Sequence, residues 1–258
     1  MQNQLQLVCL EPSLLNDAQA LAAKLNIPLC ITPAAESLEL ILQLDNSGLS
    51  LLRPFDKKLG ALKVDFNDGA LTWRRNHGGG TGQAVAKAVG LKDKKALSIL
   101  DATAGTGTDA FVLACLGCHM TLIERHPVVA ALLADALTRA TESTEVYDIT
   151  QRMSLKTGSA LKYMAAQTEN SFDVVYLDPM FPHSGKNAQV KKSMQYFRDM
   201  VGKDEDADTL LIPALSLAKY RVVVKRPRKS PFLNRQKPTF SQEGKANRFD
   251  IYVNKSMK

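Results

Sequence analysis

The sequence contains no apolar run long enough to cross a membrane and no recognisable export signal. No hydrophobic stretch approaches the roughly 20 residues of a membrane span. Residues 1–7 lack the basic start and apolar core of a secretory signal peptide. Internal repeats and low-complexity tracts are also absent. We therefore expect a soluble, cytoplasmic protein without a membrane partner.

Cysteine is scarce, with four residues in a chain of 258: Cys9, Cys30, Cys115 and Cys118. In a chain of this kind we expect free thiols. The string from Cys115 to His119 matches the haem-attachment pattern C-x-x-C-H, but that chemistry needs an oxidising compartment. We interpret the string as a helix end, a glycine turn and the start of a strand. A second C-x-x-C pair is lacking, so we expect no structural zinc and no other metal.

Acidic residues are nearly absent from the last forty positions. From Lys219 to Lys258 there are twelve lysines and arginines but only two acids, Glu243 and Asp250. This segment carries a net charge of +10 and the rest of the chain −3, which together give the +7 of the whole chain. A basic segment on a slightly acidic body is typical of a protein that binds a polyanion. A solvated tail without a partner is the alternative.

From residue 97 onward, segments with the pattern of strands alternate with segments that have the pattern of helices. We predict strands at 97–100, 118–123, 153–157, 172–177 and 221–224, and helices at 108–116, 127–140, 161–167, 189–201 and 207–218. Pro213 predicts a kink or break in the last of these helices. Residues 248–253 are predicted to add an antiparallel strand. Strands separated by helices indicate an α/β fold with a parallel sheet and helices on both faces.

Residues 1–72 have a different pattern, which predicts a small N-terminal α+β extension. A strand is predicted at 4–10 and a helix at 13–25. The segments 38–44 and 49–53, joined by Asp-Asn-Ser-Gly, predict a hairpin. A linker and a helix at 83–89 then lead into the rest of the chain. We therefore predict an extension over 1–72 and a second domain over 73–258.

The first candidate site is a glycine-rich turn that follows the predicted strand ending at Asp101. Gly105 and Gly107 allow close approach of a ligand and leave backbone N–H groups free at the start of a helix. The third glycine of the dinucleotide-binding fingerprint is missing. Asp101 and Glu124 end two successive predicted strands. These acids suit a cationic ligand with an amino-acid head group, and Glu124 is placed to accept hydrogen bonds from a ribose.

The second candidate site is the loop Asp178-Pro179-Met180-Phe181, which follows another apolar strand. Ligands of open α/β sheets bind outside the carboxyl ends of the strands. This loop places a carboxylate, a rigid proline and an aromatic ring at such an end. The two loops together predict a nucleotide-like cofactor beside a flat substrate that carries an amine.

The glycine turn with its two acids resembles that of S-adenosylmethionine (SAM)-dependent methyltransferases. The resemblance implies a Rossmann-like class I fold, with a mostly parallel seven-stranded sheet, helices on both faces and SAM as cofactor. Carried over, it implies Glu124 at the ribose, Arg125 beside it, and Asp178 where cofactor and acceptor meet. It further implies two sets of residues, at the methionine end and along the adenine: Asp101, Gly105, Thr108 and Asp109, and Gly158 and Ser159.

The second loop resembles the [DN]-P-P-[FYW] loop of methyltransferases that modify exocyclic amines of bases. In this resemblance, the Asp178 carboxylate and the Pro179 carbonyl accept the two N–H bonds of the amine. Phe181 stacks on the base, an interaction worth roughly 1–3 kcal/mol. Met180 departs from the pattern, which has a second proline there. The catalytic residues implied are Asp178, Pro179 and Phe181.

Further segments closely resemble the ribosomal RNA small subunit methyltransferase J family: 74–90, 124–127, 178–183 and 222–227. The resemblance implies an enzyme that methylates the 2-amino group of a guanine in small-subunit ribosomal RNA, with the RNA or the small subunit as its partner. Three alternatives stay open at this point. They are an adenine-amine DNA methyltransferase, a nicotinamide-dependent oxidoreductase and a non-catalytic RNA-binding module.

The basic residues after the fifth strand of this domain are expected beside the second loop, where they would bind phosphates of the RNA. They are Arg226, Arg228, Lys229, Arg235 and Lys237.

Overall fold

The computed structural model describes residues 5–32, 40–54, 60–69, 71–73, 79–91, 96–180, 196, 200, 206–245 and 247–257. Within these ranges the strands form two sheets, one of four strands and one of seven. None of the helices in the same ranges is both long enough and apolar enough to cross a membrane.

The smaller sheet belongs to the N-terminal part of the chain. Its strands are β1 (Leu5–Cys9), β2 (Leu29–Cys30), β3 (Leu40–Asp45) and β4 (Gly48–Leu52), and helix α1 covers Leu15–Leu25. The spatial order is β2-β1-β3-β4, with β1 parallel to both of its neighbours. Strands β3 and β4 form the predicted hairpin, in which Asp45 pairs with Gly48. Gly48 has a φ of +111°, which a glycine adopts without strain.

The larger sheet confirms the predicted α/β fold. Its strands are β5 (Ser98–Asp101), β6 (His119–Glu124), β7 (Met153–Thr157), β8 (Phe172–Leu177), β9 (Ala218–Pro227), β10 (Phe240–Glu243) and β11 (Asn247–Val253). They lie in the order β10-β11-β9-β8-β5-β6-β7. The five strands from β5 to β9 are mutually parallel. Strand β11 runs antiparallel to its two neighbours, β9 and β10. This is the mostly parallel seven-stranded sheet expected from the sequence.

Helices cover both faces of this sheet. They are α2 (Ala84–Val89), α3 (Thr108–Cys115), α4 (Pro127–Ala140), α5 (Tyr147–Thr150), α6 (Ala160–Ala165) and α7 (Leu211–Leu217). Successive residues of β5 point to opposite faces, so Ile99 belongs to one apolar cluster and Leu100 to the other. Helices α3 and α4 pack in the first cluster, and α6 and α7 pack in the second.

Most predicted boundaries agree with the structure to within one or two residues, and the differences have local causes. Helix α4 begins at Pro127, where a missing N–H costs nothing. The predicted helix over 207–218 is broken into a 3-10 turn, Ala207–Leu210, and α7, with Pro213 in the first turn of α7. Strand β9 is longer than predicted at both ends, because it pairs with β8 from Ala218 and with β11 as far as Pro227. The predicted helix over 189–201 lies almost wholly outside the described residues.

Strand β10 was not predicted, because its sequence, Phe-Ser-Gln-Glu, has no alternation of apolar residues and most of its side chains are exposed. The C-x-x-C-H string has the predicted structure. Cys115 ends α3, Gly117 adopts a φ of +94°, and His119 begins β6.

The two sheets share one apolar core. The Phe66 ring stacks on Phe111 of α3 with ring centroids 4.8 Å apart, and both side chains are almost fully buried. On α4, Arg139 donates to the carbonyl of Val64 and, at 2.8 Å, to the Asp135 carboxylate. The boundary at residue 72 stays a prediction. We propose that the two parts nevertheless unfold as one cooperative unit.

Changing Phe66→Ala tests this proposal, because it removes the ring that joins the two parts. We expect the free energy of unfolding to fall by about 3–5 kcal/mol, as for other buried Phe→Ala changes. The control is Leu10→Ala, an exposed side chain of the extension, which should cost within about 0.5 kcal/mol. Pulsed thiol labelling in urea, followed by peptide mass mapping, measures the urea concentration at which each part unfolds. The buried cysteines Cys9 and Cys118 report on the extension and on the larger sheet, respectively. Different urea midpoints for the labelling of these two cysteines would contradict the proposal that the two parts unfold as one cooperative unit.

Candidate active site

The candidate site lies at the point where the strand order of the larger sheet reverses. From β5 the chain proceeds to β6 and β7 on one side, whereas β8 and β9 lie on the other. In open α/β sheets, this switch point leaves a crevice outside the carboxyl ends of the strands. A cavity of about 560 Å³ occupies this position, and residues that end or follow β5, β6 and β8 line it. This volume suits a ligand of nucleotide size.

The glycine turn forms one wall of the cavity and is held by Glu124. Gly105 and Gly107 have φ angles of +55° and +72°. A Cβ on Gly107 would lie 3.0 Å from the Leu133 side chain, so the turn is also tightly packed. The Gly105 N–H donates to Glu124 Oε2 at 2.9 Å, and the His126 N–H donates to Glu124 Oε1 at 2.7 Å. Glu124 therefore joins the glycine turn to the end of β6.

Asp101 forms the floor of the cavity and is only 2% exposed. The backbone N–H of Thr103 donates to its Oδ1 atom at 3.1 Å. Burial raises the pKa of Asp101 to about 8, and the nearby carboxylates of Asp109 and Asp178 add to this rise. The Thr103 hydrogen bond and the charge of Lys225 oppose it. Asp101 is therefore protonated at neutral pH until a cation approaches it.

Lys225 connects the two candidate loops. Its Nζ atom lies 2.8 Å from Asp109 Oδ2 and 2.8 Å from Asp178 Oδ2. Burial alone would lower the pKa of Lys225, but the charges and hydrogen bonds of the two carboxylates raise it overall. Lys225 is therefore a cation at neutral pH.

Tyr176 and Thr103 make further hydrogen bonds to the two aspartates that Lys225 contacts. The Tyr176 hydroxyl donates to Asp109 Oδ2 at 2.8 Å, and burial followed by the nearby carboxylates keeps the pKa of Tyr176 well above its usual value. Thr103 Oγ1 accepts the Asp178 N–H at 2.6 Å.

Most residues predicted for the site line this one cavity. They are Asp101, Gly105, Thr108, Asp109, Glu124, Arg125, Ser159 and Asp178. Gly158 and Pro179 lie beside lining residues rather than in the lining itself. The Gly158 N–H donates to the Glu124 carbonyl at 2.8 Å, and Ser159 caps α6. Phe181 lies outside the described residues.

Arg125 lies at the rim of the cavity and is half exposed. Its Nη1 atom donates to Asp206 at 2.8 Å. The next residue, His126, precedes α4, and burial followed by the Arg125 charge lowers its pKa. Among the residues that the structure describes, no group of three or more His, Cys, Asp or Glu side chains could hold a metal ion.

The sequence analysis did not assign roles to Lys225 and Tyr176. The position of Lys225 in the sequence could have indicated a site residue. It follows three valines at the end of a predicted strand, just as Asp178 follows the apolar run of β8. Tyr176 had none, since an aromatic residue within an apolar strand indicates only a core position. The turn between β10 and β11 was also missed, although Lys245 and Asn247 line the cavity.

One expectation about the basic residues is wrong. Arg226 does not belong to an exposed surface, because it is only 3% exposed and donates to the Pro231 carbonyl. Arg248 is also buried, with its Nε atom 2.8 Å from the Asp250 carboxylate and its guanidinium over the Phe232 ring. A positive charge count cannot distinguish such internal ion pairs from surface charges.

Comparison with known proteins gives consistent results. The SAM_MT family model, which describes SAM-dependent methyltransferases, matches residues 21–254. The chain is 55% identical over 220 residues to the ribosomal RNA small subunit methyltransferase J of Colwellia psychrerythraea, with 85% of this chain and 80% of that protein covered. It is 47% identical over 249 residues to the protein of the same name from Cellvibrio japonicus, with 93% and 94% covered.

Among solved structures, a SAM-dependent methyltransferase from Neisseria gonorrhoeae is similar over nearly the whole chain. The TM-score is 0.75 at 34% sequence identity, and 98% of this chain and 97% of that chain are covered. The similarity therefore includes the N-terminal extension as well as the larger sheet.

The raised pKa of Asp101 predicts a specific pH dependence of stability. In the unfolded chain this carboxyl ionises with its ordinary pKa of 3.8, but in the folded protein it ionises near 8. Between these values the folded state holds one more proton, so this contribution to stability is complete below pH ~4 and is lost as the pH rises through ~8.

We expect the free energy of unfolding of the parent, relative to Asp101→Asn, to fall between pH 5 and 8 by up to about 1.4 kcal/mol per pH unit. Urea unfolding at each pH measures this difference. An exposed aspartate on α5 provides the control Asp148→Asn, which should show no such slope. A constant difference between the parent and Asp101→Asn would contradict the raised pKa.

Proposed function

The chain belongs to the ribosomal RNA small subunit methyltransferase J family of SAM-dependent methyltransferases, and we propose that it methylates the exocyclic 2-amino group of a guanine in small-subunit ribosomal RNA. The observation that carries this proposal is the position of Asp178 and Pro179. They follow β8 at the switch point, and Asp178 lines the same cavity as Asp101 and Glu124. A site for the amine therefore adjoins a site for a cationic cofactor.

The cavity fits SAM in both size and charge. The carboxylates of Asp109 and Asp178 share one lysine, and Asp101 can ionise when a cation approaches it, so the cavity favours a positively charged ligand. Asp101, Gly105, Thr108 and Asp109 would hold the methionine end. Glu124 would hold the ribose with Arg125 beside it, and Gly158 and Ser159 would lie along the adenine. When bound, SAM supplies an electrophilic methyl group on a positively charged sulfur.

Asp178 and Pro179 would orient the amine. An ionised carboxylate accepts hydrogen bonds and donates none, so Asp178 suits an N–H group of the base. The Pro179 carbonyl would accept the second N–H. Two such bonds bring the nitrogen lone pair toward the methyl group. The methylated nitrogen is acidic and would release its proton to water, so the reaction needs no strong base beforehand. Phe181 would stack on the base.

Two other enzyme functions that the sequence left open are not supported. A nicotinamide-dependent oxidoreductase shares the glycine turn, but the chain lacks the third glycine and its curated relatives are named methyltransferases. A DNA adenine methyltransferase would use the same amine chemistry. The relatives are named for ribosomal RNA instead, and this favours RNA over DNA as the acceptor.

The RNA substrate is either free small-subunit ribosomal RNA or the assembled small subunit, and we place the reaction in the cytoplasm, where subunits are assembled. The exposed basic residues near the cavity would bind the phosphates that flank the target guanine. Arg235 lies in a turn whose Asn234 N–H donates to Asp208 at 2.7 Å. Asp208 belongs to the 3-10 turn Ala207–Leu210, which adjoins the cavity through Leu210. This hydrogen bond puts Arg235 close to the cavity rim.

Asp178→Ala should lower the rate of methyl transfer by about 10- to 150-fold, because one hydrogen bond to a charged group contributes roughly 1.5–3 kcal/mol. RNA affinity should change little, since this carboxylate would contact one amine among many groups. Nucleoside mass analysis of methylated RNA gives the rate, and filter binding gives the affinity. The control is Asp148→Ala on α5. Methyl transfer at the parent rate in Asp178→Ala would remove this residue from the mechanism.

Two matched double variants test the basic surface. Lys229→Ala with Arg235→Ala changes exposed residues beyond the carboxyl end of β9, whereas Lys219→Ala with Lys255→Ala removes the same charge at its amino end. The slope of log affinity against log salt should flatten by about 0.7–0.9 for each phosphate that the variant no longer binds. We expect this flattening, with weaker RNA binding, in the first variant only. Equal slopes in both variants would show that the RNA does not bind at the surface beyond the carboxyl end of β9.

A further inference from the structure

The Lys225 ammonium connects three neighbouring elements at the carboxyl edge of the sheet. The lysine belongs to β9, Asp178 follows β8, and Asp109 lies in the first turn of α3. Both Nζ–Oδ2 distances are 2.8 Å, and the Lys225 side chain is only 23% exposed. Hydrogen bonds of this kind, between charged groups, are short and directional. The Asp178 carboxylate is therefore held from the strand next to its own.

The charges around Asp178 explain why a cation is needed there. Among the residues that the structure describes, the acidic groups near it include Asp101 and Asp109, and Tyr176 contributes a neutral hydroxyl that donates to Asp109. Carboxylates that share a site disfavour each other's ionised form. Lys225 opposes this effect, because it is hydrogen-bonded to two of the three acids. Without it, Asp178 would take up a proton more readily and would also lose its anchor.

We propose that Lys225 is a positioning residue for methyl transfer, which fixes the Asp178 carboxylate toward the substrate amine and maintains it in the ionised state that accepts the amine N–H. This inference rests on the proposed role of Asp178. It adds a requirement that the resemblance to amine methyltransferases did not contain, namely a cation on the adjacent strand. Lys225 acts through Asp178 and does not itself contact the base.

The test compares Lys225→Met, which keeps the length of the side chain but removes its charge, with Lys225→Arg, which restores a cation. Lys219→Met, on the same strand at its opposite end, is the matched control. At saturating SAM and RNA, we expect kcat of Lys225→Met at pH 7 to fall by about tenfold or more. An opposite charge within hydrogen-bond range lowers a carboxyl pKa by ~1–3 units, so the acid limb of the pH profile should move up by about that amount. Lys225→Arg should recover much of both losses.

A second measurement does not require catalysis. Carbon-13 NMR of aspartate-labelled protein, with Asp178 assigned from an Asp178→Asn sample, reads the ionisation of this carboxyl directly. We expect its pKa to rise in Lys225→Met and not in Lys219→Met. An unchanged pKa and an unchanged pH profile would overturn the proposal. So would a loss of rate that is equal at every pH and is accompanied by a lower unfolding midpoint, since that result indicates a structural role alone.

The two proposals fail in different ways. If Asp178→Ala methylates RNA at the parent rate while the NMR shift in Lys225→Met occurs, the proposed function of the loop is wrong although the ion pair exists. If Asp178→Ala is inactive while Lys225→Met behaves as the parent in rate and pH profile, the loop is catalytic and the role of Lys225 is wrong.

Discussion

The accumulation of negative charge at the switch point is the constraint around which this site is built. Three acids, Asp101, Asp109 and Asp178, come from three elements that meet at the carboxyl edge of the sheet. Burial leaves Asp101 protonated, and Lys225 bridges the other two. The cavity therefore still favours a positively charged ligand. When no such ligand is bound, protonation of Asp101 and the charge of Lys225 limit the repulsion among the three acids. Asp109 and Asp178 therefore share one cation, whereas the protonation of Asp101 is set mainly by its burial.

The fold and the site share the same residues at the glycine turn. Glu124 holds the Gly105 N–H through its carboxylate, while its own carbonyl accepts the Gly158 N–H. Behind the turn, Phe66 of the extension stacks on Phe111 of α3. The extension therefore supports the helix whose first turn carries Asp109. The residue that we propose for the ribose is at the same time hydrogen-bonded to the glycine turn, so loss of its carboxylate would affect both the proposed binding and the turn.

Much of this site could be predicted from local patterns. Apolar runs that end in Asp101, Glu124 and Asp178 indicated buried strands, and an acid directly after such a run lies at the edge where ligands bind. The pairing of Lys225 with two acids could not be predicted, because it requires β9 to lie next to β8 in a particular register. The lining contributed by the β10–β11 turn depends likewise on an antiparallel pair whose first strand has no sequence pattern of its own.

The order of strands and helices, the tight turns and the acids at the strand ends are properties of short segments, and the amino-acid sequence was sufficient to establish them. The partners of the charged side chains are not local. Lys225 is 116 positions from Asp109 and 47 from Asp178, and Arg226, the next residue, is buried instead of facing the RNA. Alternation along a strand sends adjacent residues to opposite faces, and only the packed sheet determines which charges meet there. The folded chain, and not its charge count, thus separates the lysine that pairs with Asp178 from the arginine that is buried in the protein.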